Sequence, residues 1–266
     1  MLDLLKEMFS YPFMVRAILV GTIVALCSSL LGVSLVLKRY SMIGDGLSHV
    51  GFGALALATA LNMAPLTVSI PIVVLAAFLL LRISESSKIK GDAAIALIST
   101  GALAVGVMVI SVTTGMNTDV CNYLFGSILS MSQSDVNLSV VLSVILLVLF
   151  VLFYNRIFAV TFDESFAKAT GTNAGLYNML IALLTALIIV LGMRMMGALL
   201  ITSLIVFPAL TSMRLCTRFK AVIINSAIIS VLCLWVGLTI SYVYATPTGA
   251  SPVLCLSLIH ISEPTR

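Results

Sequence analysis

Residues 11–58 read "YPFMVRAILVGTIVALCSSLLGVSLVLKRYSMIGDGLSHVGFGALALA". The apolar run from Phe13 to Val36 contains one charged residue, Arg16. It is long enough to cross the roughly 30 Å hydrocarbon core of a bilayer, which takes about 20 helical residues. Lys38 and Arg39 close it, and a second apolar run starts within a few residues. A cleavable leader has a shorter apolar core and no further spans behind it, so this stretch reads as the first helical hairpin of an integral membrane bundle.

Working outward, the whole chain agrees. Of 266 residues, 61% are apolar and 9% charged, and the mean hydropathy is +1.22. Soluble domains carry about 25% charged residues, so a water-soluble globule is excluded. Roughly 160 apolar residues fill about eight spans and leave little for an extramembrane domain. The net charge of +4 is assigned to cytoplasmic loops and not to nucleic-acid binding. Five scattered cysteines with no CxxC spacing read as small apolar side chains, not a disulfide framework.

Run length predicts an all-α, polytopic transmembrane helix bundle with spans near 13–36, 42–61, 65–82, 93–113, 136–154, 176–193, 197–213 and 220–243. Met1 to Tyr11 reads as an interfacial lead-in, and residues 121–132 as a re-entrant or interfacial helix too short to span. Lys38/Arg39, Arg82/Lys88/Lys90, Arg156/Lys168 and Arg214/Arg218/Lys220 fall in alternate connections. The positive-inside rule makes those connections cytoplasmic and places the N-terminus outside. Arg194 dissents at the outer face and reads as a snorkelling anchor or docking contact.

The longest polar break holds "TFDESFAKATGTNAG", Thr161 to Gly175. Thr161 as N-cap, Asp163 and Glu164 in the first turn and Gly171 as a stop predict one short cytoplasmic helix, either a connector or a docking element. After "TPTGAS" a ninth span begins at Pro252 but runs into "LSLIHISEPTR", Leu256 to Arg266. Those residues resemble a translated sequencing adapter. The permease sequence is therefore expected to occupy residues 1–255, with residues 256–266 a non-native tail that truncates the ninth span and removes His260 from consideration as a ligand.

That leaves His49, four residues after Asp45 at the start of the second span. A spacing of i, i+4 puts both side chains on one helix face. Ionisable residues inside a span mark transport pathways more often than mere structure, though an ion pair holding two helices together is the simpler alternative. Carboxylate plus imidazole suits a divalent transition metal, and it suits a proton equally well on these two residues alone. Gly44, Gly46, Gly51 and Gly53 leave room for close helix approach or a locally unwound backbone. Asp119 with Asn117 and Asn122 reads as loop solvation, and the Met193/Met195/Met196 cluster as packing. Pro208 is expected to free a carbonyl that Thr202, Ser203, Thr211 or Ser212 satisfies. With no P-loop, nucleophile elbow or HExxH, the chain is not itself an ATPase or another enzyme.

Four stretches together resemble the membrane permease subunit of the ABC transporters that take up zinc, manganese or iron: residues 11–58 above, "FDESFAKATGTNAGLYNML" (162–180), "MGALLITSLIVFPALTSMRL" (196–215) and "TPTGASPVL" (246–254). The resemblance implies a homodimer in the bacterial plasma (inner) membrane that imports a divalent metal by alternating access. Asp45 and His49 of each copy would contact the metal, and no cofactor would be held permanently. It further implies a cytoplasmic ATPase partner docked on a coupling helix bearing Phe166, Ala167, Thr170 and Gly171, and an extracytoplasmic metal-binding protein. Gly46 and Val50-Gly51-Phe52 depart from the family pattern, which has Ala and a Leu-Pro-Gly turn there. The rivals are an ABC permease for a metal chelate such as a siderophore or cobalamin, which needs no paired ligands, and a proton-coupled secondary carrier, which needs no ATPase.

Overall fold

The computed structural model describes residues 8–85, 91–113, 126 and 133–262. Among them the elements are α1 (Pro12–Leu37), α2 (Ile43–Ala60), α3 (Pro65–Glu85), α4 (Gly91–Thr113), α5 (Gln133–Leu152), α6 (Tyr154–Phe162), α7 (Glu164–Ala169), α8 (Ala174–Met196), α9 (Ala198–Leu215), α10 (Phe219–Tyr244) and α11 (Ala250–Ser262). Every described element is helical, as expected of a chain whose backbone polar groups must be satisfied without water. Most of the lead-in Met1–Tyr11, the re-entrant piece 121–132 apart from Gly126, the Asp119 group, Lys88 and Lys90 lie outside the described residues.

Helices α1 and α8 form the centre. In each, two thirds of the most apolar window is buried inside the protein, against about a third for α3 and 28% for α4. A helix apolar on all sides is stable only when surrounded by apolar matter. For α1 that matter is α5, α8, α9 and α10; for α4 it is α2 and α3 on one side, while Leu97, Met108 and Val112 point outward. Inside the bundle, Ser230 Oγ of α10 donates to the Ala25 carbonyl of α1 at 3.1 Å, the kind of interhelical bond that holds membrane helices together where the hydrophobic effect cannot.

Six described helices are long and apolar enough to cross a membrane, and a seventh span results if α5 and α6, bent by 68°, count as one. The expected count of eight spans and part of a ninth is not reproduced by length and composition. The expected second span, α2, falls short because Asp45, His49, two serine or threonine residues and four glycines dilute its apolar content. Its burial within the bundle makes a fully apolar surface unnecessary. Helix α11 runs thirteen residues and passes Cys255 without a break.

The basic connections converge on one end. Lys38 pairs with Glu164 of α7, Leu81 next to Arg82 lines the same small cavity as Lys38, and Phe219 beside Arg218 packs against Tyr154, Phe158 and Phe162 of α6. A common end for these connections is what the positive-inside assignment requires. Arg194 sits in the last turn of α8, in the half of that helix remote from this cluster.

Pro208 lies within α9, which stays helical from Ala198 to Leu215. The predicted rescue of its freed carbonyl does not occur: Thr202 and Ser203 bond carbonyls of Ala198 and Leu199, Thr211 faces His260, and Ser212 accepts from Asn225. Met193, Met195 and Met196 are buried packing residues, as expected. Cys27, Cys216, Cys233 and Cys255 are free thiols.

Candidate metal-translocation site

Helix α2 starts directly after a tight turn. Arg39 takes a left-handed φ of 61°, the Tyr40 amide donates to the Leu35 carbonyl at 2.8 Å, and the Ile43 amide donates to Tyr40 at 3.0 Å. Asp45 falls in the first turn of α2, where a carboxylate is favoured by the unpaired amides and the helix dipole. Helix α2 is continuous through Val50-Gly51-Phe52, so the departure from the family pattern there leaves the backbone helical.

The backbone is helical at all four glycines, and Gly46, Gly51 and Gly53 serve close packing. A Cβ on Gly53 would stand 2.7 Å from the Ala102 carbonyl oxygen of α4, and one on Gly46 would meet Ile95 at 2.6 Å. Helices α2 and α4 therefore approach at a distance that only a hydrogen side chain permits.

This approach places Asp45 and His49 at the wall of a 280 Å³ cavity shared with α4, lined also by Met42, Ile95, Ser99 and Thr100. His49 Nε2 lies 3.6 Å from Asp45 Oδ2. The Asp45 side chain is half exposed and that of His49 about a quarter exposed, so neither is sealed in a structural ion pair. Ser99 and Thr100, a polar step within an apolar helix, escaped the sequence reading; their signal was the break in the apolar run. Among the described residues no group of three or more His, Cys, Asp or Glu could hold a metal. One copy thus offers a carboxylate and an imidazole, fewer than the four to six ligands a divalent transition metal takes.

The second candidate site is the short helix α7. Its N-cap is Asp163, whose carboxylate accepts from the Phe166 amide at 2.8 Å. Thr161, expected in that role, lies inside α6, with its hydroxyl buried and without a hydrogen-bond partner among the described residues. The helix break at Asp163 makes the difference, because that residue takes an extended backbone that frees its side chain to cap. The helix stops as predicted: Thr170 is the C-cap and Gly171 follows at φ 80°.

Phe166 is 63% exposed, whereas Ala167 is fully buried against Val160 and Ala174. Phe166, Thr170 and Gly171 face outward, and Ala167 anchors the helix to the bundle.

Two residues that sequence reasoning did not place in a site hold α7 to the rest of the protein. Asn178 Nδ2 of α8 donates to Glu164 Oε2 at 3.2 Å, and Lys38 Nζ donates to Asn178 Oδ1. Lys38 also lies 3.8 Å from Glu164 Oε2, while Lys168 binds Glu164 Oε1 at 2.8 Å. The Lys168 hydrogen bond holds the Glu164 carboxyl below its ordinary value; burial, the next effect in size, opposes it, and the Asn178 hydrogen bond and the Lys38 charge add to the lowering.

The sequence profile of the ABC 3 transport family matches residues 10–264. The chain is 32% identical to the probable iron transport system membrane protein of Haemophilus influenzae, over 98% of this chain and 92% of that protein. It is 27% identical to the high-affinity zinc uptake system membrane protein ZnuB of the same organism, over 94% and 96%. It is 26% identical to the manganese transport system membrane protein MntC of Halalkalibacterium halodurans, over 95% and 87%. Among solved structures, PsaBC from Streptococcus pneumoniae in complex with Fab superposes with a TM-score of 0.87 at 27% identity, covering 97% of this chain and 93% of that one.

Proposed function

The chain belongs to the ABC 3 transport family, and from that premise we propose how its own residues serve transport. It is the multi-pass membrane permease subunit of an ABC importer of a divalent transition metal of the zinc, manganese and iron group. The chelate permease and the secondary carrier are not favoured.

Beyond that, Asp45 and His49 contact the metal in transit. What carries this assignment is the pair itself: a carboxylate and an imidazole 3.6 Å apart, half open to a cavity, on a helix otherwise packed inside the bundle. Two ligands per copy suit a cargo that must be released again, because a fully coordinated site would retain it. A second copy related by a two-fold axis would double the set to two carboxylates and two imidazoles, the arrangement expected of a symmetric dimer.

The importer needs an energy source, and we assign it to a separate cytoplasmic ATPase docked on α7 through Phe166, Thr170 and Gly171. An extracytoplasmic metal-binding protein delivers the cargo. ATP binding draws the two ATPases together, and the permease halves rock between outward and inward states. Co-expression of the chain with its ATPase and binding protein in a strain lacking its own metal uptake, followed by measurement of manganese, zinc and iron accumulation, tests the assignment. ATPase-dependent accumulation of at least one metal supports it, and accumulation without the ATPase contradicts it.

A further inference from the structure

Lys38 stands far in sequence from Asn178 and Glu164; it is separated from Asn178 by 140 residues, whereas Asn178 and Glu164 are 14 apart. They nonetheless form one continuous polar bridge between three elements that transport must coordinate. Lys38 caps the C-terminus of α1, Asn178 projects from the second turn of α8, and Glu164 opens α7.

The Asn178 carboxamide is polarised by its surroundings. Its oxygen accepts from the Lys38 ammonium and its nitrogen donates to the Glu164 carboxylate. Reversing the amide would face oxygen to carboxylate and nitrogen to ammonium, so the orientation is fixed by charge. Asn178 is 4% exposed and the Lys38 side chain 9%. A charge so shielded cannot exchange its partner for water cheaply, so a displacement of α7 pulls on Lys38 rather than parting from it.

Lys38 in turn leads to the metal helix. Lys38, Tyr40, Ile43 and Asn178 line one small cavity of 20 Å³, and the backbone bonds of Tyr40 and Ile43 make the turn between α1 and α2 short and stiff. Asp45 follows in the first turn of α2.

We propose that Lys38, Asn178 and Glu164 form the relay that passes movement of α7 to α2, and so act as positioning residues that couple ATP turnover to the Asp45/His49 site. The proposal rests on α7 being the ATPase-docking helix, and the experiment separates the two.

The test uses proteoliposomes of the full chain assembled with its ATPase and binding protein, with manganese and zinc ions as probes. Lys38→Met and Asn178→Leu should assemble and hydrolyse ATP within about twofold of wild type, while metal moved per ATP falls about tenfold or more, within the range of coupling between distant sites. Lys38→Arg should restore the ratio. The near-isosteric Glu164→Gln carries the same test if either variant gives too little protein. An unchanged ratio of metal to ATP overturns the relay. So does a parallel fall in hydrolysis and transport, which is the mark of a merely structural role. If Phe166→Asp instead leaves ATPase binding and transport normal, α7 is not the docking helix, and the failure belongs to that assignment.

Discussion

His49 Nε2 lies 3.6 Å from Asp45 Oδ2 across one turn of α2, close enough for a shared cation and too far for a strong direct hydrogen bond. Neither group has a second acidic or imidazole partner among the described residues. On the proposed role of the pair, the remaining ligands come from water, from cavity-wall oxygens such as those of Ser99 and Thr100, or from another copy. Two differently tagged copies of the chain are therefore expected to co-purify, and a mixed pair with one His49→Ala copy should bind manganese or zinc about tenfold or more weakly than the wild-type pair, since each lost ligand costs more than about 1.4 kcal/mol. Titration of the purified pairs checks this.

Gly53 faces the Ala102 carbonyl so closely that any side chain collides with backbone, which cannot rotate away. Gly53→Leu should separate α2 from α4 and destabilise the protein by about 1–3 kcal/mol, in the range of overpacked interiors. The thermal midpoint in detergent reads the effect. Gly171→Ala has open space around its Cβ, and only the positive φ opposes it, so its cost should be smaller, about 1 kcal/mol.

Phe166 and Ala167 are neighbours with opposite surroundings. Phe166→Asp is expected to abolish ATPase co-purification while leaving the thermal midpoint of the isolated permease unchanged. Ala167→Leu should instead lower that midpoint, because a larger side chain has no room beside Val160 and Ala174. Pull-down and melting of the two variants side by side distinguish a docking face from an anchor.

The Glu164 carboxyl is held below its ordinary value. A depressed carboxylate adds stability that is fully present above its unfolded value and is lost as pH falls through the folded one. Wild type should therefore outlast Glu164→Gln at neutral pH, and the difference should close as the medium is acidified below the usual carboxylate range. With the Glu164 side chain 39% exposed, solvent screening keeps the effect under about 1 kcal/mol. Thermal midpoints of both proteins across that range measure it.

The membrane class, most helix positions and the Asp45/His49 face were legible in the sequence because they depend on local facts: run length, spacing and loop charge. The cap of α7 was misplaced from Asp163 to Thr161, since Thr161 is carried inside α6, whose Phe158 and Phe162 pack on the distant Phe219, and the helix breaks only at the extended Asp163. Span counting faltered at α2 for a related reason. A helix shielded by its neighbours may carry Gly, Ser, Asp and His where a lipid-facing helix cannot. The Lys38–Asn178–Glu164 bridge was invisible because Lys38 served only as a loop charge and its partners lie on distant elements.

The central claim is that Asp45 and His49 pass the metal. Its most direct test is metal accumulation by cells carrying the complete importer with Asp45→Asn or His49→Ala in the permease, in a background without other uptake systems. Both variants are expected to reach the membrane and bind the ATPase at wild-type levels while accumulation falls to background. Normal accumulation in either variant would contradict the account.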